Sequence, residues 1–95
     1  MNISQIRQKS IPIFNEYGVT YAGLFGSFSR GHETQKSDID IMIKLGKPIG
    51  MFSYMRFINT LESVLKRKVD IMTEDSMNKH IKPYVMQDMI TICEK

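Results

Sequence analysis

A single cysteine, no tryptophan, three prolines and two histidines are all that this 95-residue chain holds of those residues. Cys93 alone closes no intramolecular disulfide and has no CxxC partner for zinc. His32 and His80 have no ligand spacing around them and read as solvated surface residues. No apolar run approaches the ~18–20 residues of a membrane span. The longest, Ile39 to Leu45, already contains Asp40 and Lys44. The opening residues lack a basic stretch followed by an apolar one, so no signal peptide is expected and the reading is a soluble, cytoplasmic protein. Charge of one sign is scarce as well. A net charge of +3 tolerates phosphates without demanding nucleic acid. The densest basic cluster, Lys66-Arg67-Lys68, falls where a helix should end, and the helix dipole accounts for it.

What is present describes one small folded domain over residues 1–95. Apolar residues make up 42% and charged residues 24%, ordinary globular usage. A chain of this size closes one two-layer core but not a cofactor domain plus a substrate domain. Any cleft it builds is expected to be half a cleft.

The hydrophobic periods divide the chain. Ser4 is positioned to cap a helix bearing Ile6, Ile13, Phe14 and Tyr17, with Pro12 expected to kink or divide it and Gly18 to end it. Tyr21 to Phe25 reads as a short strand, Gly26-Ser27 as a turn, and Phe28 to Gly31 as one or two helical turns. Strict alternation from Ile39 to Leu45 predicts a half-buried strand. From Met51 to Lys66, Tyr54, Phe57, Ile58, Leu61, Val64 and Leu65 recur at helical spacing. Lys68 to Thr73 is a third strand, with Asp75-Ser76 as a cap for the segment after it. Ile81 to Cys93 reads as a last helix broken near Pro83, with a partner interface suggested by its apolar residues on more than one side. Met51, Met55, Met86 and Met89 fall at core spacing, and the four tyrosines read as packing residues with wet hydroxyls. The order implies an α/β (α+β) fold, a small mixed sheet with helices on one face.

Three acidic residues stand apart. If Ile39, Ile41 and Ile43 face the core, Asp38 and Asp40 face the other way, about 6.5–7 Å apart along the strand. Val69 and Ile71 likewise turn Asp70 outward. On neighbouring strands the three carboxylates converge, and their mutual repulsion is relieved by a divalent cation. An all-oxygen donor set suits Mg²⁺ or Mn²⁺. Gly26 permits a close backbone approach, and Ser27 stands where a helix start attracts phosphate. Metal and phosphate sites together describe a place for a chelated nucleoside triphosphate.

Gly26-Ser27, ten residues, then Asp38-Ile39-Asp40 resembles the GS-x10-DxD motif of the DNA polymerase β-like nucleotidyltransferase superfamily. With each fixed residue at roughly 5–7% usage, those four residues arise by chance in about one chain in a thousand of this length. Arg30-Gly31, Ser37 and Asp70 extend the likeness to the minimal nucleotidyltransferases, the MNT partners of HEPN-domain proteins in toxin–antitoxin pairs. The resemblance implies a polymerase β-like fold and transfer of AMP from ATP to a hydroxyl, a tyrosine's, of a HEPN-domain ribonuclease toxin. It implies that Asp38 and Asp40 bind two Mg²⁺ ions, with Asp70 as third ligand and general base. Gly26, Ser27 and Arg30 would hold the triphosphate. No membrane is implied, and nucleic acid is not expected as a direct partner. Two alternatives stand beside this reading: a binding module that neutralises its partner by contact, and a nucleotidyltransferase for a small molecule or an RNA end.

Overall fold

The computed structural model describes residues 2–26, 31 and 38–95. Ser27, Arg30, the expected helical turn at 28–31 apart from Gly31, His32 and Ser37 lie outside them. Helix α1, Ile3–Glu16, begins two positions earlier than a Ser4 cap would allow. Asn2 is the cap, in a reciprocal box: its Oδ1 accepts from the Gln5 amide at 2.8 Å while Gln5 Oε1 accepts from the Asn2 amide at 2.9 Å. Pro12 lies inside α1 without dividing it. The ring is exposed, so the carbonyl deprived of its partner is one that water can reach.

Strand β1 spans Val19–Phe25, longer at its start than the pattern suggested, and β2 spans Ile39–Leu45, as expected. Helix α2 is Met51–Leu65 and β3 is Val69–Thr73. Lys66 ends α2 in the left-handed conformation at φ 55°, in line with a helix terminus at the basic cluster. Where a cap at Asp75-Ser76 was expected, Glu74–Ser76 forms a 3-10 turn, with the Ser76 hydroxyl donating to the Thr73 carbonyl at 2.9 Å.

The C-terminal reading needs correction. The helix α3 covers only Lys82–Gln87, with Pro83 in its first turn, and Ile90–Glu94 is a fourth strand, β4. The β-branched run Ile90-Thr91-Ile92 favours a strand once a sheet edge is available, and β1 supplies that edge. The sheet order is β3-β2-β1-β4, antiparallel except for the parallel β2–β3 pair.

Both long helices cover one face. Phe14 of α1 and Tyr17, which caps it, meet Phe57 of α2 with ring centroids 6.1 and 5.3 Å apart. Beneath them lie Ala22, Leu24, Ile39, Ile41, Ile43 and Val69. Phe57, Leu61 and Leu65 are buried at the expected helical spacing. The methionines are not where spacing put them: Met51, Met55 and Met86 are exposed, and Met42 and Met77 are the buried ones among the described residues. Tyr84 is also exposed rather than packed. Cys93 is buried, as a small apolar residue would be. Among the described residues no helix is long and apolar enough to cross a membrane.

Candidate active site

The open face of the sheet carries the acidic residues. With Ile39, Ile41 and Ile43 fully buried on the helical face, alternation turns Asp40, Met42 and Lys44 of β2 to the other side. In β3, Val69 is buried and Asp70 exposed, and the parallel register sets Asp40 directly beside Asp70. Parallel register is what brings the two together: a slip of one residue would turn one carboxylate into the core face. Asp38 stands just before β2, half-buried.

Electrostatics bears the mark of this crowding. Partial burial, then the charges of Asp70 and Asp38, then a hydrogen bond with Asp70 push the Asp40 carboxyl up from 3.8 to about 6. Each cause opposes an added negative charge, so protonation or a cation relieves the site. Among the described residues no three His, Cys, Asp or Glu side chains stand close enough, as they are, to cage a metal ion. The fit to a metal therefore rests on donor chemistry: two adjoining carboxylates, with the charge of a third bearing on one of them, are hard oxygen ligands suited to Mg²⁺.

Gly26 borders the same spot. It follows β1, whose last residue, Phe25, pairs with Asp40. Gly26 adopts φ +74°, and a Cβ there would overlap Oδ2 of Asp40. Glycine is needed twice over, for the left-handed turn and for the contact with the carboxylate. Asp40, Asp70 and Gly26 thus meet at one end of the open face, and Asp38, just before β2, bears on Asp40 through its charge. Ser27 and Arg30 fall outside the described residues.

Sequence reasoning missed a second glycine. Gly23, in the middle of β1, would place a Cβ 2.5 Å from both Cγ and Sδ of Met89. The chain between α3 and β4 is therefore seated on the open face, beside Met42, the cross-strand partner of Gly23. A glycine inside a strand was the available signal of such an approach. The Tyr21 hydroxyl holds the seat, 3.3 Å from Met89 Sδ and 3.0 Å from Thr91 Oγ1. Farther along, Lys44 Nζ stands 5.3 Å above the Tyr21 ring and 3.1 Å from Glu74, which also accepts from Lys82 of α3 at 2.7 Å.

Comparison with known proteins places the chain among relatives of the same fold. A Methanocaldococcus jannaschii protein, provisionally named a protein adenylyltransferase, is 34% identical over 92 residues, 97% of this chain and 99% of its own. A solved toxin–antitoxin complex with AMP-PNP contains a chain of the same fold, with TM-score 0.80 at 22% identity over 94% of this chain and 73% of that one. A solved complex of a tri-AMPylated Shewanella oneidensis HEPN toxin with an MNT antitoxin matches at TM-score 0.74 and 19% identity, covering 98% of this chain and 73% of that one. Residues 8–95, nearly the whole chain and every acidic position of the site, match the family described as "Polymerase beta, Nucleotidyltransferase", and the chain belongs to that family.

Proposed function

We propose that this chain transfers AMP from ATP to a hydroxyl, a tyrosine's, on a HEPN-domain ribonuclease toxin, and acts in the cytoplasm as that toxin's antitoxin. The observation that carries the reading is the meeting of Gly26, Asp40 and Asp70: a backbone free of a side chain stands against two paired carboxylates on an open face. A phosphate chain can approach the first while its counter-cations are held by the others. The provisional name of the 34% identical relative supports adenylyl transfer, and the AMPylated toxin of the Shewanella oneidensis complex supports a protein acceptor.

In this reading Asp38 and Asp40 hold two Mg²⁺ ions, and Gly26, Ser27 and Arg30 hold the triphosphate. When bound, the cations would neutralise phosphate charge and keep the attacking and leaving oxygens in line. Asp70 takes the proton of the acceptor hydroxyl as that oxygen bonds the α-phosphorus. The bond from the α-phosphorus to the oxygen bridging to the β-phosphate breaks, and pyrophosphate leaves with the electron pair. Asp70 suits that role because it is exposed, where an incoming hydroxyl can reach it, and adjoins Asp40.

The test is a transfer assay with α-labelled ATP and Mg²⁺, using this chain and the product of the adjacent gene. An Asp38→Asn, Asp40→Asn variant is the control. Label on a tyrosine of the partner, absent with the variant, is the expected result. A partner inhibited equally by the variant, with no label from any nucleoside triphosphate, would overturn the enzyme reading.

A further inference from the structure

Strand β3 is an edge strand, paired with β2 and, among the described residues, with no strand on its other side. Parallel pairing is the weaker kind per residue, yet the meeting of Asp40 with Asp70 depends on it. The Ile39 amide donates to the Lys68 carbonyl at 3.0 Å. The backbone groups of Asp70 and Met72 therefore also turn to β2, and those of Val69, Ile71 and Thr73 turn away from it. Side chains meet the ones that turn away. The Val69 amide donates to Glu62 Oε2 at 2.9 Å, the Tyr54 hydroxyl to the Ile71 carbonyl at 3.4 Å, and the Ser76 hydroxyl to the Thr73 carbonyl.

The three caps are not equivalent. The Ser76 bond closes the turn that follows β3, and the Tyr54 bond is long. The Glu62 bond ties α2 to the first residue of β3, is accepted by a carboxylate, and falls directly before Asp70. Glu62 also stands where a helix disfavours an acid, in the last turn of α2 at the negative end of its dipole. Its own carbonyl accepts from the Lys66 amide at 2.8 Å, where the chain leaves the helix in the left-handed conformation. One residue thus ends α2 and receives the strand that follows. An acid kept at that end of a helix has its reason outside the helix.

We infer that Glu62 is a positioning residue for Asp70: its carboxylate anchors Val69, fixes where β3 begins along β2, and so holds Asp70 against Asp40. This rests on the adenylyl-transfer reading above, in which Asp70 takes the proton of the acceptor hydroxyl, and names the residue that keeps that base in place. Glu62 acts through the strand and not on the reacting groups. Without the anchor, a small shift of β3 spoils the alignment of base and hydroxyl, and a slip of one residue turns Asp70 into the core face.

The experiment measures AMP transfer from α-labelled ATP to the product of the adjacent gene by Glu62→Ala, Glu62→Asp, Glu62→Gln and Ser76→Ala chains. The Ala variant, and the Asp variant that keeps the charge but not the reach, should lower kcat about tenfold or more with KM for ATP unchanged. Glu62→Gln, whose Oε1 can accept the same bond, should restore kcat. Ser76→Ala removes the cap at the far end of β3 and should leave kcat as it is. A kcat unmoved by both the Ala and Asp changes, lost equally with Gln, or lowered as much by Ser76→Ala overturns the assignment. A parent chain that labels no acceptor counts instead against adenylyl transfer. Cross-strand proton contacts between Asp40 and Asp70, read by NMR on the chain alone, then decide the positioning role. Contacts weakened in the Asp variant and kept in the Gln variant uphold it, and contacts unchanged in both reject it.

Discussion

Asp40 and Asp70 are register partners on two parallel strands, hydrogen-bonded through their carboxyls, and burial together with this pairing raises Asp40 to about 6. Desolvation is the largest cause, and the two neighbouring carboxylates add to it. At neutral pH the ionised Asp40 carboxylate therefore works against the native fold.

Replacing Asp40 by Asn should separate stability from activity. Its folded pKa, about 6, lies above the unfolded 3.8, so the native state binds the proton more tightly. The associated stability is fully present below 3.8 and lost as pH rises through about 6. With EDTA present and above pH 6, the Asn variant should be the more stable by roughly 1 kcal/mol, a figure reduced for solvent screening of a part-exposed group. Urea melts across pH 4 to 8 should show the gap closing on the acid side. Nucleotidyl transfer by the variant should be lost.

Gly26→Ala combines a left-handed backbone with a Cβ that overlaps the Asp40 carboxylate. A cost of about 1–3 kcal/mol in stability is expected. Displacing the carboxylate by even 1 Å should lower transfer about a hundredfold. Chemical denaturation and initial rates at saturating ATP check the two effects. A Gly18→Ala variant shares the positive φ but has open space around it, so it should strain the backbone without touching transfer.

Glu74 is held below the ordinary carboxylate range by hydrogen bonds from Lys82 and Lys44. A depressed pKa gives stability that is present above the unfolded value of 4.5 and fades as pH falls through the folded one. Glu74→Gln should flatten that acid limb. It should also release the head of α3, read as faster amide exchange over Lys82–Gln87, with exchange in β2 unchanged.

Ser10 is fully buried in α1, and its hydroxyl has no hydrogen-bond partner among the described residues. Ser10→Ala removes that unpaired group at almost constant volume, so a gain of up to about 1 kcal/mol is expected in thermal melts. A loss of more than about 1 kcal/mol would show the hydroxyl to be satisfied in solution.

Much of this was legible in residues alone. Alternation fixed β2 because its two faces differ in kind, isoleucines on one and Asp40, Met42 and Lys44 on the other. The same contrast turned Asp70 outward before any register was known. The C-terminal segment defeated periodicity because Val85, Met86, Met89, Ile90 and Ile92 fit a helical stripe until β1 offers an edge, and that pairing spans some seventy residues. The exposed methionines misled for a related reason: spacing reports which residues share a side of a helix, not whether anything covers that side. Asn2 was passed over as a cap because Ser4 is also a good one, and the reciprocal bond from Gln5 decides between them.

The parallel joining of β2 and β3 also sets when the site comes into being. A nascent chain that has already delivered Gly26, Asp38 and Asp40 holds no paired carboxylates until α2 has crossed over and Asp70 has been synthesised. Catalytic competence is thereby tied to a long-range contact formed late, so truncated products and partly folded chains should be inert rather than indiscriminate. The protein's chemistry is gated by its own completion.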